Sequence, residues 1–223
     1  MTRRQNTRTG ARAVHRGVCV EEAQLVEKAK HGETEAFEVL VRQYQDRVFN
    51  TCWRISGHLE DARDLTQEAF LKALENIAGF NYQSSFYTWL FRIAVNLALS
   101  HKRKTARRRT ISLDRGIGEE GTQADALKHL IAADSEHDPV VAATKAEMQG
   151  MVARGLQALD ENQRTVVVLR DLEGFDYHEI GEILGIPPGT VKSRLFRARM
   201  ALHQAIDRLR TGNPKSLSQD VSD

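Results

Sequence analysis

Lys192, Ser193, Phe196 and Arg197 lie within two helical turns of one another and carry the chemistry needed to read a DNA groove. Lys and Arg reach phosphates and guanine edges, Ser hydrogen-bonds to either, and an aromatic ring packs on a thymine methyl. A second group, Tyr82, Trp89, Arg92, Asn96 and Arg103, precedes or enters the run HKRKTARRR. Rings beside a basic track suit single-stranded nucleic acid, because bases stack on the rings while the backbone follows the charge. Asn96 can donate and accept toward a base edge, Arg92 and Arg103 can follow phosphates, and Tyr82 or Trp89 can offer a ring, Trp89 being equally suited to a core. A third group, Asp61, Asp64 and Glu68, places carboxylates about one helical turn apart. Paired carboxylates can do acid–base work, but no nucleophile, ligand set or glycine-rich phosphate loop accompanies them, so an outward acidic face is the plainer reading. His129, Asp134, His137 and Asp138 could be drawn around a metal, yet no rigid spacing pins them. The sequence therefore calls for no catalytic residue, no cofactor and no metal.

The elements that must position these groups are helices. Asp176 sits at an N-cap position with Glu179 three residues on, a capping box. Ile180, Ile183 and Leu184 give the short helix that follows one apolar face, and Gly185 supplies the left-handed turn that ends it. Pro187 and Pro188 suit a helix start. Val191, Leu195, Ala198 and Leu202 then fall at helical spacing, which turns Lys192, Ser193, Phe196 and Arg197 outward. An ordinary amphipathic helix pair could also carry a basic face. The tight turn, the short first helix and the restriction of basic residues to the second helix favour a helix-turn-helix.

Upstream, residues 21–32 and 34–55 read as two helices, the second with Phe37, Leu40, Val41, Tyr44, Val48 and Phe49 inward. After a break at Gly57, residues 61–77 present Ala62, Leu65, Ala69, Phe70, Ala73, Leu74 and Ile77 as a wide buried face. A helix capped by Ser84 or Ser85 buries Phe86, Leu90, Ile93, Ala94 and Leu97, with Thr88, Arg92, Asn96, Ser100 and Arg103 as a polar strip. Residues 145–159 form an amphipathic helix with Met148, Met151, Val152, Leu156 and Leu159 inward. Asp160 caps the next helix with Gln163 at the reciprocal position, 166–169 is a buried run, and Gly174 makes the turn into the helix-turn-helix.

At 223 residues, with 41% hydrophobic and 28% charged residues, the chain can fill two modest helical cores. The expected fold is all-α: two small helical domains joined by a flexible linker, the C-terminal one a helix-turn-helix. The division is a basic arm at 1–20, a first domain at 21–104, a linker at 105–144 that shifts from basic to acidic, a second domain at 145–210 and a polar tail at 211–223. The net charge of +2 says less than its clustering. No apolar run reaches membrane-spanning length and the basic start has no apolar core after it, so neither membrane insertion nor a signal peptide is expected. Cys19 and Cys52 form no close-spaced pair and read as idle or buried thiols in a reducing compartment.

Three stretches resemble a known family. LDENQRTVVVLRDLEGFDYHEIGEILGIPPGTVKSRLFRARMAL is similar to region 4 of bacterial sigma factors, closest to the extracytoplasmic-function (ECF) group of the sigma-70 family. DARDLTQEAF resembles region 2.2, and SSFYTWLFRIAVNLALSHKRK resembles regions 2.3 and 2.4. The resemblance covers both domains, in the family's order. It implies a non-enzymatic, cytoplasmic promoter-recognition subunit that binds core RNA polymerase and promoter DNA, both duplex and melted strand. It implies minus-thirty-five element contacts by Lys192, Ser193, Phe196 and Arg197, minus-ten contacts by Tyr82, Trp89, Arg92, Asn96 and Arg103, and polymerase docking by Asp61, Asp64 and Glu68. Many members have Gly where Tyr82 stands, so the loop here is expected to differ in shape. An anti-sigma protein is a further partner the family leaves open. Two rival classes would use only part of the chain: a freestanding helix-turn-helix regulator leaves 61–104 without a task, and an enzyme built on the acidic helix predicts turnover or metal dependence.

Overall fold

The computed structural model describes residues 20–112 and 139–211. The expected basic arm up to residue 19, Cys19, the His129, Asp134, His137 and Asp138 group and the polar tail from 212 lie outside the described residues. Within them the ordered elements are helical: α1 Val20–Lys30, α2 Thr34–Ser56, α3 Leu59–Asn76, a short 3-10 turn Ile77–Gly79, α4 Phe86–Ser112, α5 Pro139–Gln157, α6 Glu161–Val167, α7 Tyr177–Leu184 and α8 Pro188–Thr211. A π-helical turn, Val168–Leu172, follows α6 directly. No strand occurs among the described residues.

The N-terminal domain is built on α2, whose Phe37, Leu40, Tyr44, Val48, Cys52 and Ile55 are buried at helical spacing. This stripe packs against α1, α3 and α4. Gly57 ends α2 in the left-handed region (φ 86°), its N–H donating to the Trp53 carbonyl at 2.8 Å. The buried side of α3 is narrower than its sequence suggests. Ala62, Leu65, Ala69, Phe70 and Ala73 face inward, whereas Leu74 is 43% exposed. The alanines let α3 lie close to its neighbours, and that closeness leaves no room for a wider apolar face.

In the C-terminal domain Asp160 caps α6, its side chain accepting from the Gln163 N–H at 2.8 Å. The 166–169 run is buried, as its unbroken apolar character requires. Arg164, only 4% exposed, is satisfied by carbonyls: Nε donates to Leu156 (2.8 Å), and Nη2 donates to Gln157 (2.9 Å) and Leu159 (3.0 Å). Burial holds its pKa below the usual guanidinium value. Met148, expected in the core, is 60% exposed; Leu156 is the buried apolar residue of α5, with Val152 and Ala153 partly buried against the same core.

The two domains pack against each other. Arg164 Nη1 also donates to the Ile55 carbonyl at 3.1 Å, where Lys102 Nζ donates as well (3.1 Å). Gln157 Nε2 donates to the Arg54 carbonyl at 3.4 Å. The last turn of α2, whose carbonyls have no partner within the helix, is thus capped from α4, α5 and α6. Phe175 stacks on Tyr87 (centroids 4.8 Å apart, 18° between planes) and packs against Phe91 at 5.2 Å. Thr88, expected on an outward polar strip, is instead buried beneath α7, its Oγ1 donating to Glu179 Oε1 at 3.2 Å.

Candidate nucleic-acid and polymerase interfaces

The helix-turn-helix forms from local rules. Asp176 Oδ1 accepts from the N–H groups of His178 (2.8 Å) and Glu179 (2.9 Å), and Glu179 Oε2 accepts from the Asp176 N–H (2.7 Å). Both halves of the capping box are present. Gly185 closes α7 in the left-handed region (φ 65°). The chain then folds back so tightly that a Cβ on Gly181 would lie 2.8 Å from the Ile186 carbonyl oxygen. In the sequence, the signal for Gly181 is a lone glycine inside a short amphipathic helix, easily passed over. α8 starts at Pro188, with the Thr190 and Val191 N–H groups donating to the Pro187 carbonyl at 2.9 and 3.1 Å.

Val191, Leu195 and Ala198 are buried against the rest of the domain, which fixes the rotation of α8. Lys192, Ser193, Phe196 and Arg197 all point to solvent, Phe196 with 69% of its surface exposed. Arg197 Nε lies 3.4 Å from the Ser193 carbonyl, and Ser193 Oγ donates to the Thr190 carbonyl at 3.1 Å. Arg199, one position further round, is committed elsewhere: its Nε donates to Asp171 Oδ2 at 3.0 Å and its Nη2 to the other oxygen. The basic face that remains is compact, aromatic-centred and on one side of one helix.

The second surface lies on α4 and the loop before it. Arg92, Asn96 and Arg103 are exposed along α4, and Arg103 Nε donates to the Leu99 carbonyl at 3.2 Å. Trp89 is half-buried between Phe80 and Phe86, at centroid distances of 5.3 and 5.7 Å. Tyr82 is 48% exposed and, among the described residues, the one non-glycine in the left-handed region (φ 58°). Three contacts hold it there. Its hydroxyl donates to Glu27 Oε2 at 2.6 Å, Lys30 Nζ sits 4.7 Å from its ring centre, and Phe80 packs 4.8 Å from it. Partial burial and the Glu27 carboxylate push its phenol up to about 12, while the same hydrogen bond holds Glu27 below the usual carboxylate value. Between α1 and this loop lies a cavity of about 350 Å³ lined by Glu22, Val26, Phe80, Tyr82, Ser84 and Phe86.

The third surface is the outer side of α3. Asp64 and Glu68 are exposed, Glu68 lying 3.6 Å from Lys72 Nζ, and Asp61 is half-buried with His101 Nδ1 3.7 Å from its carboxylate. Leu71 (61% exposed) continues the Asp64–Glu68 stripe by a further turn, and Leu74 lies beside it. Leu71 is a surface residue beyond those expected from the sequence, although its spacing of seven from Asp64 places it on the same face. No group of three or more His, Cys, Asp or Glu among the described residues could hold a metal ion. Among the described residues, no helix is long and apolar enough to cross a membrane.

Comparison with known proteins gives a consistent picture. Residues 40–108 match the Sigma-70 region 2 family and residues 149–202 match the Sigma-70, region 4 family. The chain is 36% identical over 190 residues to the RNA polymerase sigma-H factor of Pseudomonas aeruginosa, covering 85% of this chain and 95% of that protein. It is 35% identical over 181 residues to the ECF RNA polymerase sigma factor SigW of Bacillus subtilis, covering 81% and 94%. Among solved structures it is similar to the sigma factor RpoE of Bartonella quintana in complex with the anti-sigma factor NepR. That likeness has 24% identity and a TM-score of 0.60, covers 77% of this chain and 96% of the other, and bears on the fold alone.

Proposed function

The chain belongs to the ECF group of the sigma-70 family, and from that premise we propose how its three surfaces divide the work of transcription initiation. As a sigma factor it binds core RNA polymerase and recognises promoter DNA. The observation that carries this function is the presence, in one chain and in the family's order, of both the region 2 and region 4 segments. A freestanding helix-turn-helix regulator would need only the second.

The α3 stripe of Asp61, Asp64 and Glu68 is the docking face for core polymerase. Carboxylates there steer and register a basic partner surface, and exposed Leu71 beside them supplies apolar area to bury. The outward face of α8 reads the minus-thirty-five element: Phe196 packs on a base edge or methyl while Lys192, Ser193 and Arg197 contact bases and phosphates. Tyr82, Trp89, Arg92, Asn96 and Arg103 serve the minus-ten element. Asn96 hydrogen-bonds an unstacked base, the arginines follow the backbone, and Tyr82 with Trp89 lends ring surface near the α1–loop cavity. The protein makes and breaks no covalent bonds of its own and works in the cytoplasm beside polymerase; an anti-sigma partner would bind the polymerase-facing surfaces.

Run-off transcription with purified core polymerase on a genomic fragment library tests the whole reading. Promoter-dependent transcripts are expected with wild-type protein. The Lys192→Ala, Ser193→Ala and Arg197→Ala triple variant should lose upstream selectivity, each good base contact being worth about 1–3 kcal/mol. Unaltered promoter choice by the triple variant would remove α8 from the recognition role.

A further inference from the structure

Arg199 has the helical phase of a DNA-facing residue and is nonetheless turned away. At 3.6 residues per turn, position 199 lies within about 20° of position 192, between the rows of Leu195 and Phe196, and about 10 Å further along α8. Its guanidinium folds back on the π turn: Nε donates to Asp171 Oδ2 at 3.0 Å and Nη2 donates to Oδ1. This is a two-pronged grip on a carboxylate 28 positions earlier. The Arg199 and Asp171 side chains keep 51% and 34% of their surface exposed, so the pair lies on the outside of the domain. The turn around Asp171 is fixed by its neighbour. Arg170 Nη1 donates to the Phe175 carbonyl at 2.6 Å, and its guanidinium sits 4.9 Å from the Tyr177 ring centre. Two arginines beside the recognition face are therefore tied down, whereas Lys192 and Arg197 point to solvent.

We propose that Asp171 is a positioning residue for DNA recognition: by holding Arg199 against the π turn it withholds one phosphate contact from α8 and keeps sequence-independent binding weak. The proposal rests on the reading of α8 as the upstream-element face. The first argument is placement. In a helix-turn-helix the N-terminal residues of the recognition helix meet base edges. A residue two turns on comes level with the rim of the groove, because its offset of about 10 Å from Lys192 is close to the ~12 Å width of the major groove. An arginine there meets phosphate, which carries no sequence information.

The second argument is energetic. An ion pair this exposed adds little to stability, so the fold does not require it. Withholding a cation from the phosphate track, by contrast, changes affinity for every sequence alike. The third argument is charge. A bare carboxylate beside DNA would repel it, and Arg199 covers Asp171 with both prongs, so the pair is close to neutral toward the duplex. The hold of α8 on DNA then comes from Lys192, Ser193, Phe196 and Arg197, the side chains placed to read bases.

The test measures binding of the full-length chain, alone and in complex with core polymerase, across a salt titration. The probes are a labelled duplex of mixed sequence and one carrying the upstream element. Asp171→Ala should tighten binding to both and steepen the slope of log K against log salt by about 0.9, one added phosphate contact. Its advantage over wild type should shrink about threefold between about 50 and 200 mM salt. Asp171→Glu, which can still grip Arg199, should keep the wild-type slope. Asp171→Ala combined with Arg199→Gln should return to it, because the freed cation is gone. Glu147→Gln, on the exposed side of α5, makes the same change in net charge and should leave the slope unaltered. A pair that only braces the fold would instead lower the denaturation midpoint in Asp171→Ala with no change of slope, and that result would overturn the proposal. So would a double variant with a shallower slope than wild type, since Arg199 would then already be a phosphate contact. Lys192→Ala with Arg197→Ala separates the two levels of the reading. If that variant flattens the slope and Asp171→Ala leaves it unchanged, α8 stays the DNA face and the role of Asp171 falls. If it binds both duplexes as wild type does, the reading of α8 falls and the proposal with it.

Discussion

Substituting Gly181 by alanine tests the geometry of the helix-turn-helix against the ordinary preference of helices for alanine. Inside a helix that exchange is worth about 1 kcal/mol of added stability when the site has room. Here the new Cβ would sit 2.8 Å from the Ile186 carbonyl oxygen, a backbone atom that cannot rotate aside. That oxygen belongs to the turn leading into α8, so relief requires moving α8 away from α7. Forced overpacking costs about 1–3 kcal/mol, which cancels or outweighs the propensity gain and leaves a net loss of up to about 2 kcal/mol. Gly189 is the internal control. It lies in the first turn of α8 with nothing within 4 Å of its would-be Cβ, so Gly189→Ala should gain up to about 1 kcal/mol. Urea denaturation of both variants, followed by circular dichroism, should give midpoint shifts of opposite sign. Upstream-element binding should weaken in Gly181→Ala even below its transition, because displaced α8 no longer presents Lys192 and Arg197 in register. A Gly181→Ala protein more stable than wild type, or a Gly189→Ala protein that loses stability equally, would refute the close-approach argument.

Reversing Asp64 and Glu68 to Lys should weaken binding to core polymerase while changing stability by no more than about 0.5 kcal/mol, since both are exposed; equal core affinity in a pull-down titration would exclude this face. Asn96→Ala should leave closed complexes near normal but lower permanganate reactivity of unpaired thymines on duplex promoters, with much of the loss restored on a pre-melted bubble; full reactivity on duplex would take Asn96 out of the site. Burial pushes the Cys52 thiol up to about 12, so in a Cys19→Ser background Cys52 should resist thiol reagents at pH 8 until the protein unfolds. The sign of the linkage follows. A thiol kept neutral by folding favours the native state below its unfolded pKa, so this contribution should fade as the pH rises from about 9 toward 12, read as a falling denaturation midpoint.

What could be read from the sequence was what depends on neighbours along the chain. The Asp176–Glu179 capping box, the Gly185 turn and the inward Val191, Leu195 and Ala198 stripe all arise within a few residues of one another, and all appear as spelled. The three candidate surfaces were legible for the same reason, because helical spacing alone turns Asp64, Glu68, Asn96, Lys192 and Arg197 outward. Contacts over long sequence separations were not legible. Glu173 reads as a charged residue in a polar turn, and nothing near it reveals that Thr51, 122 positions earlier, will donate to it. Thr88 belongs to a polar period that points to solvent until a second domain covers it. Leu74 and Met148 failed differently: apolar periodicity marks the direction of a buried face but not its width, which depends on how closely the next helix approaches.

The left-handed backbone at Tyr82 has a consequence for where the minus-ten module begins. A tyrosine in that conformation carries a cost on the order of 1 kcal/mol that a glycine would not, so the loop keeps its shape only while something grips the side chain. The grip comes from Glu27 and Lys30, and Glu22 and Val26 wall the adjoining cavity; all four belong to α1. None of them falls within residues 40–108, the span that matches the region 2 family. A fragment trimmed to that span would keep every DNA-facing residue named for the minus-ten element yet lose the scaffold that orders the loop between Phe80 and Phe86. On the proposed reading, a fragment meant to engage the minus-ten element should therefore begin at α1, whose Glu27 and Lys30 brace the loop.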